Sequence, residues 1–370
     1  YTNSSGGTEN SPGDEIAAGG FDNVLTNFIS NNSSDLTDVS FGSGTYNVTL
    51  ADNDDADGDT ADDDDNTLVL TSVGTSGDKT VTLEAVIIRR LFKADSAITT
   101  NGDLGGNGSF TIDGTNGSIH SNSSLSVSGG SATVTEGATA SGDCTGTGCV
   151  SGGVSPVSIP IISPSDYKSA VEYILNDDGT IEDVGTGNIY TYTAPGGGNW
   201  TTSTTGDGNS SFGGLSYNSG QGKWTAGSSD ITNGFFYVEG DFGTTGTPAG
   251  WETSIVADGY IDFGGNADVV NYKNASDTED IQDVFLIAGT DIEFSGTPSN
   301  TIQGFIAAAE QISISGNISV NGFIVASDSA ATENLVTSNT ISGSATVTYN
   351  GDIVAPFLDN KVSIIAWQET

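Results

Sequence analysis

The sequence predicts a mainly β protein in two parts: a small α/β head over 1–95 and a parallel β-helix (β-solenoid) body over 96–370. Three observations predict it. Of 370 residues 52 are Gly, and Ser, Thr, Asn and Asp fill most polar positions. Gly, Asn and Asp form tight turns, whereas Thr, Val and Ile favour strands, so the balance calls for many short strands. From Tyr46 the apolar residues alternate with period two (Tyr46, Val48, Leu50), after a single stretch of helical period. Finally, Ala257-Asp-Gly-Tyr-Ile-Asp-Phe-Gly-Gly aligns with Ala288-Gly-Thr-Asp-Ile-Glu-Phe-Ser-Gly and with Ala308-Ala-Glu-Gln-Ile-Ser-Ile-Ser-Gly, and a partial copy begins at Ala326 after Gly322-Phe-Ile-Val. The last two intervals are 20 and 18 residues, and the first is lengthened by a polar insertion over 271–280. A repeat of that length, with one alternating strand closed by Gly, suits a parallel β-helix whose layers stack Ile on Ile and Phe on Phe. Antiparallel β-sandwiches with similar strand lengths are the competing architecture.

Along the chain, 1–12 is a flexible lead rich in Ser, Gly and Asn. Over 14–31, Ile16, Gly20, Val24 and Phe28 recur every four residues with Ala17, Phe21 and Leu25 beside them, giving an amphipathic helix started by Pro12 and Asp14. Its stripe (Ile16, Phe21, Val24, Leu25 and Phe28) is the expected assembly surface, and the helix is expected to pack on the sheet that follows. That sheet is antiparallel, with strands near 46–50, 68–72 and 80–88 and an acidic loop at 51–66. From Ala97 the strand-length segments are punctuated by Gly. The interval 156–251 reads as an aromatic, Gly-rich insertion into the body. It opens with a predicted helix over 165–175, capped by Ser165 and burying Val171, Ile174 and Leu175. Tyr190, Tyr192, Trp200, Tyr217 and Trp224 follow, as rings that cap the solenoid or, on exposed loops, bind sugars.

Eight Lys and Arg stand against 48 Asp and Glu, a net charge of −40. Such a surface repels phosphate backbones and anionic lipids, which excludes nucleic acid, and it takes divalent cations as counterions. Asn53, Asp55 and Asp57 place oxygens at the first, third and fifth positions of a loop whose sixth is Gly58, and Asp59, Asp62 and Asp64 can complete a Ca²⁺ shell. The closing Glu of an EF-hand is missing, so this is a strand-borne calcium loop; a solvated acidic hairpin tip is the alternative. Cys144 and Cys149, with His120 as the sole histidine, are too few for zinc and predict a short disulfide that stiffens a Gly-rich turn in an oxidising compartment. The most hydrophobic run, 81–92, contains Glu84, Arg89 and Arg90, so no transmembrane segment is expected in this chain. Methionine is absent, so the chain is expected not to start at its own initiation codon. No relay around His120 and no nucleophile elbow suggests catalysis.

Several segments, in the same order along most of the chain, resemble the large minor-pilin-like proteins of the PilX-type pilus assembly group. They are Asp14-Glu-Ile-Ala-Ala-Gly-Gly-Phe-Asp-Asn-Val-Leu, the acidic run 52–66 with Leu-Val-Leu-Thr-Ser after it, Gly117-Ser-Ile-His-Ser-Asn-Ser-Ser-Leu-Ser-Val-Ser-Gly, the segment 304–326, and Ser363-Ile-Ile-Ala-Trp-Gln-Glu. The resemblance implies an extracellular structural subunit of a type IV pilin-like filament, at the cell surface or in a pilus, partnered by further copies or other pilin subunits. It also implies an apolar N-terminal helix half that this sequence lacks; that half is trimmed, supplied by a separate hydrophobic helix peptide, or replaced by surface contacts. An adhesin or glycan-binding tip protein using Trp200 and Trp224 is the second expectation, and a β-helical polysaccharide-degrading enzyme the third.

Overall fold

Short runs of Val, Ile, Thr and aromatic residues between Gly and Asx turns give what that pattern dictates: the chain is mainly β. The computed structural model describes residues 37–53, 67–160, 162–192, 200–202, 208–209, 212–227, 231–244, 250–265, 269–272, 283–298, 300–327, 335–353, 355 and 358–369. The predicted helix over 14–31, with Ile16, Phe21, Val24, Leu25 and Phe28, lies outside these residues. So does the calcium loop beyond Asn53, with Asp55, Asp57, Asp59, Asp62 and Asp64. Among the described residues no helix is long and apolar enough to cross a membrane.

The chain divides into two units, 1–92 with 357–370, and 93–356. The first contains a five-stranded antiparallel sheet: β1 (Val39–Phe41), β2 (Gly44–Asp52), β3 (Thr67–Ser76), β4 (Lys79–Leu91) and β5 (Leu358–Glu369), paired in that order. β5 corrects the expected organisation, which carried the body to 370. Its residues pair with β4, Ser363 opposite Ile88 and Trp367 opposite Ala85, so the second unit is inserted between two neighbouring strands of the first.

The second unit is built from parallel layers. The repeats aligned by sequence lie side by side in the predicted register: Ala257, Ala288, Ala308 and Ala326 are successive partners, as are Ile261, Ile292 and Ile312, and Phe263, Phe294 and Ile314. All of these are buried, and the Phe305 and Phe323 rings stack at 5.6 Å. Each buried Ile or Phe among them contributes about 1.5–3 kcal/mol by leaving water. The order of layers is not the order of sequence. Asn339–Ile341 and Thr346–Tyr349, from the last layer, pair with Leu104–Gly106 and Thr111–Asp113, from the first. On its other side the first layer pairs with Leu125–Val127 and Ile119–Ser121. The first layer therefore lies in the interior of the stack.

Two further readings are corrected. The helix over 165–175 is a 3₁₀ turn, Pro164–Tyr167, followed by the strand Tyr173–Leu175. Val171, Ile174 and Leu175 are buried as expected, but parallel pairing of Tyr173 with Phe236 and Leu175 with Val238 outweighs a short helical pattern rich in strand formers. The aromatic interval is no simple insertion either, since Lys223–Ala226 and Gly234–Val238 continue the two ladders of the repeats.

Glycine closes each layer for a definite reason. Gly316 has φ +89°, and a Cβ there would lie 2.1 Å from the Gly296 carbonyl oxygen; at Gly296 (φ +108°) it would lie 1.6 Å from that of Gly265. The amide after each glycine donates to the carbonyl of the preceding one: Asn317 to Gly296 at 2.9 Å, Ser344 to Gly316 at 2.8 Å, and Ser109 to Gly343 at 2.7 Å. Asx side chains tie the opposite corner. Asp291, fully buried, accepts the Gln311 amide on Oδ1 (3.1 Å) and those of Leu335 and Val336 on Oδ2 (both 2.8 Å). Asn339 Oδ1 accepts Ile312 N–H, and Asp241 Oδ1 accepts Tyr260 N–H.

Gly316→Ala is expected to lower stability by more than about 2 kcal/mol, a fall of roughly 4 °C or more in the melting temperature. Gly153→Ala has the same backbone strain (φ +71°) but nothing within 4 Å of the new carbon, and is expected to cost about 1 kcal/mol. Equal melts for the two variants would remove the packing role of the glycine column. Asp291→Asn presents one oxygen to three donors, whichever way the amide turns. A loss of about 2 kcal/mol by denaturant titration is expected, and an unchanged midpoint would contradict it.

Candidate assembly surface

Antiparallel pairing puts directly opposed residues on one face of a sheet, together with residues two positions along each strand. In the five-stranded sheet this collects Leu50, Leu70, Ala85 and Trp367 in one row. Leu68, Ile87 and Ile364 form the row on one side; Val48, Ser72, Leu83 and Glu369, and then Tyr46, Gly74 and Val81, form the rows on the other. The middle of the face is mainly apolar, with Ser72, Ser76, Lys79 and Glu369 on it towards one end. Leu68 is buried, with Leu50 and Ile87 packed on it. Towards the ends of the rows the cover stops: Phe41 is 79% exposed, Ile364 66% and Trp367 73%, with Val81, Leu83 and Ile365 also open. Gly74 leaves a shallow groove of about 310 Å³ between Tyr46 and Val81, with Phe41, Ser76 and Lys79 on its walls. A row of large uncovered apolar side chains on one face is the mark of a docking surface.

The body offers a different surface. Asp103, Ser124, Ser126, Asp143, Thr145 and Thr340 line an open groove of about 440 Å³ on the ten-stranded sheet. The Ser123 hydroxyl and then the Ser124 amide bind the Asp103 carboxylate and hold its pKa below the ordinary carboxylate value. Two adjacent layers are thereby joined through one side chain.

Of the residues picked out by sequence, Cys144 and Cys149 are brought together as a disulfide, with sulfurs 2.06 Å apart. Cys144 pairs with Leu125 and Cys149 with Ala138, and Cys144–Gly146 is an end strand of its sheet. Asn53 follows the end of β2. Among the described residues no group of three or more His, Cys, Asp or Glu is placed to hold a metal ion. His120 is buried, with Nδ1 on the Thr139 hydroxyl (2.9 Å) and Nε2 on Asn122 Oδ1 (3.0 Å). Asn122 Oδ1 also accepts the Val157 amide and its Nδ2 donates to Val157 O, so Asn122 fastens that segment while bonded to the imidazole.

Trp224, which the glycan-binding alternative would place on an exposed loop, is fully buried against Tyr217, and its indole N–H donates to Asn176 O at 2.9 Å. It is a core residue in the column of Phe242 and Ile261. Sequence reasoning missed Phe41, Ile364, Ile365 and Trp367 as surface residues. Ser363-Ile-Ile-Ala-Trp-Gln is strand-forming, uncharged and free of turn residues, which marks a strand but not its place at the edge of a sheet.

No family model matches the chain, and no curated protein matches it. Among solved structures, the competence-associated pilin ComZ from Thermus thermophilus is similar over 89% of this chain and 84% of its own, at 13% identity and a TM-score of 0.33.

Proposed function

We propose that the chain is an extracellular, non-catalytic structural subunit of a type IV pilin-like filament or cell-surface appendage. The observation that carries this is the set of large apolar side chains, Phe41, Ile364 and Trp367, left open on the five-stranded sheet among the described residues, which calls for contact with another surface. The sequence resemblance to PilX-type proteins supplies the class of assembly. The Cys144–Cys149 disulfide agrees with an oxidising compartment. In this reading the head is pilin-like, the stripe over 14–31 mediates assembly with other pilin subunits or a separate hydrophobic helix peptide, and the parallel layers of 93–356 are coils of a β-solenoid that forms the exposed bulk. The in-register pairing of the repeats supports the solenoid.

Immunogold labelling of native surface appendages, with antibody to the body, is expected to decorate filaments. Label confined to the cell interior or to dispersed protein would sink the reading. Phe21→Asp together with Val24→Asp is expected to abolish incorporation.

The same reading includes a Ca²⁺ ion held by Asn53, Asp55, Asp57, Asp59, Asp62 and Asp64, supported by their spacing around Gly58. A ligand at about 100 times its dissociation constant adds about 2.7 kcal/mol to the state that binds it, so chelation is expected to lower the melting midpoint. Identical melts with and without chelator would remove calcium as a stabilising ligand.

A further inference from the structure

β5 is the long edge of the five-stranded sheet; the opposite edge, β1, has three residues. Among the described residues β5 pairs with β4 alone, and every position from 363 to 369 is exposed. An edge strand offers a row of backbone donors and acceptors to any other strand, and proteins ordinarily protect such edges with charge, proline or brevity. Here Ser363-Ile-Ile-Ala-Trp-Gln carries no charge and no proline, and Ile364, Ile365 and Trp367 stand open on it.

We infer that β5 is a pairing edge for a second copy of this chain, strand against strand and antiparallel about a two-fold axis at Ile365. The charges select both partner and register. A strand that pairs with itself antiparallel about position 365 sets Lys361 of each copy opposite Glu369 of the other, giving two opposite-charge pairs per dimer. Ser363 then faces Trp367, Ile364 faces Ala366, and Val362 faces Gln368, with no like charges opposed. The register shift between Ile364 and Ala366 falls on the axis, so the two bent strands meet where both bend. An isologous contact of this kind makes pairs and closes, so it neither requires nor produces a filament and stands apart from the filament reading.

Its salt dependence is unusual. Two copies that each carry −40 repel over the screening length, which falls from about 10 Å at 0.1 M salt to about 3 Å at 1 M. Pairing is therefore strengthened by salt, although two ion pairs lie at its ends.

Sedimentation velocity of the full chain over a concentration series tests this. The weight-average mass is expected to rise toward double with concentration, and to do so at lower concentration in about 1 M than in about 0.1 M salt. Trp367→Asp alters a side chain already open to water, so its melting temperature should stay unchanged while the mass stays monomeric. Glu369→Lys is expected to weaken pairing at least several-fold, and Lys361→Glu combined with it to restore pairing. A chain that is monomeric under all conditions overturns the inference. So does a dimer indifferent to Trp367→Asp, or a charge-reversed double variant no better than the single.

Discussion

Neighbouring strands in a sheet lie about 4.8 Å apart, and the second unit pairs successive repeats in parallel. Where the chain turns a corner with positive φ, a Cβ would point along the stack into the next layer's carbonyl. At Gly296 and Gly316 it would lie 1.6 and 2.1 Å from a carbonyl oxygen, against 3.4 Å or more for an ordinary contact. Glycine at these corners lets the amide of the following residue reach the carbonyl of the layer beside it, and that bond fixes the register of everything between corners. Once the register is fixed, like residues meet like: Ile261, Ile292 and Ile312 in one column, Phe263 and Phe294 in another. The core follows from the corner.

The same register explains how one unit can be inserted into another. Because the last layer pairs with the first, entry and exit of the body come from adjacent layers of the stack. The flanking strands β4 and β5 can then be direct neighbours in one sheet despite the 264 residues of the second unit between them. The seam between 339–349 and 104–113 joins residues far apart in sequence, so it carries a larger loop-closure cost than pairings between layers that are local in sequence.

How much of this could be read in advance depended on repetition. Between Ala257 and Ala326 the same residue types recur at the same corner, and the alignment gave the true pairing. Elsewhere the layers are equivalent in backbone but not in side chain. Trp224 and Phe242 occupy the column that Ile261 continues, and Asn339 sits opposite Leu104, so no copy is visible. The stretch 165–175 was misread because a helix and a buried strand can show the same short apolar run, and only a partner such as Phe236 decides between them. The disulfide was legible because its cysteines are five residues apart. The exposed row of Trp367 and Ile364 was not, since exposure there follows from β5 being an edge, which is a property of topology and not of the strand's own residues.

The charge, the most prominent feature of the sequence, turns out to have two uses. Some carboxylates are structural acceptors: Asp291 takes three backbone amides inside the body, and Asp103 and Asp241 each take one from the adjacent layer. Carboxylates used in this way already have donors and do not call for a cation. Demand for counterions is therefore uneven, and it is greatest where acidic residues are densest in sequence, over 52–65 with nine Asp. The rest of the charge keeps copies of the chain apart. A protein so charged can touch its own kind only where charge is locally absent or paired, and among the described residues of the first unit β5 meets that condition. Low charge, free backbone groups and open apolar side chains coincide on β5 because a contact between copies needs all three at one place.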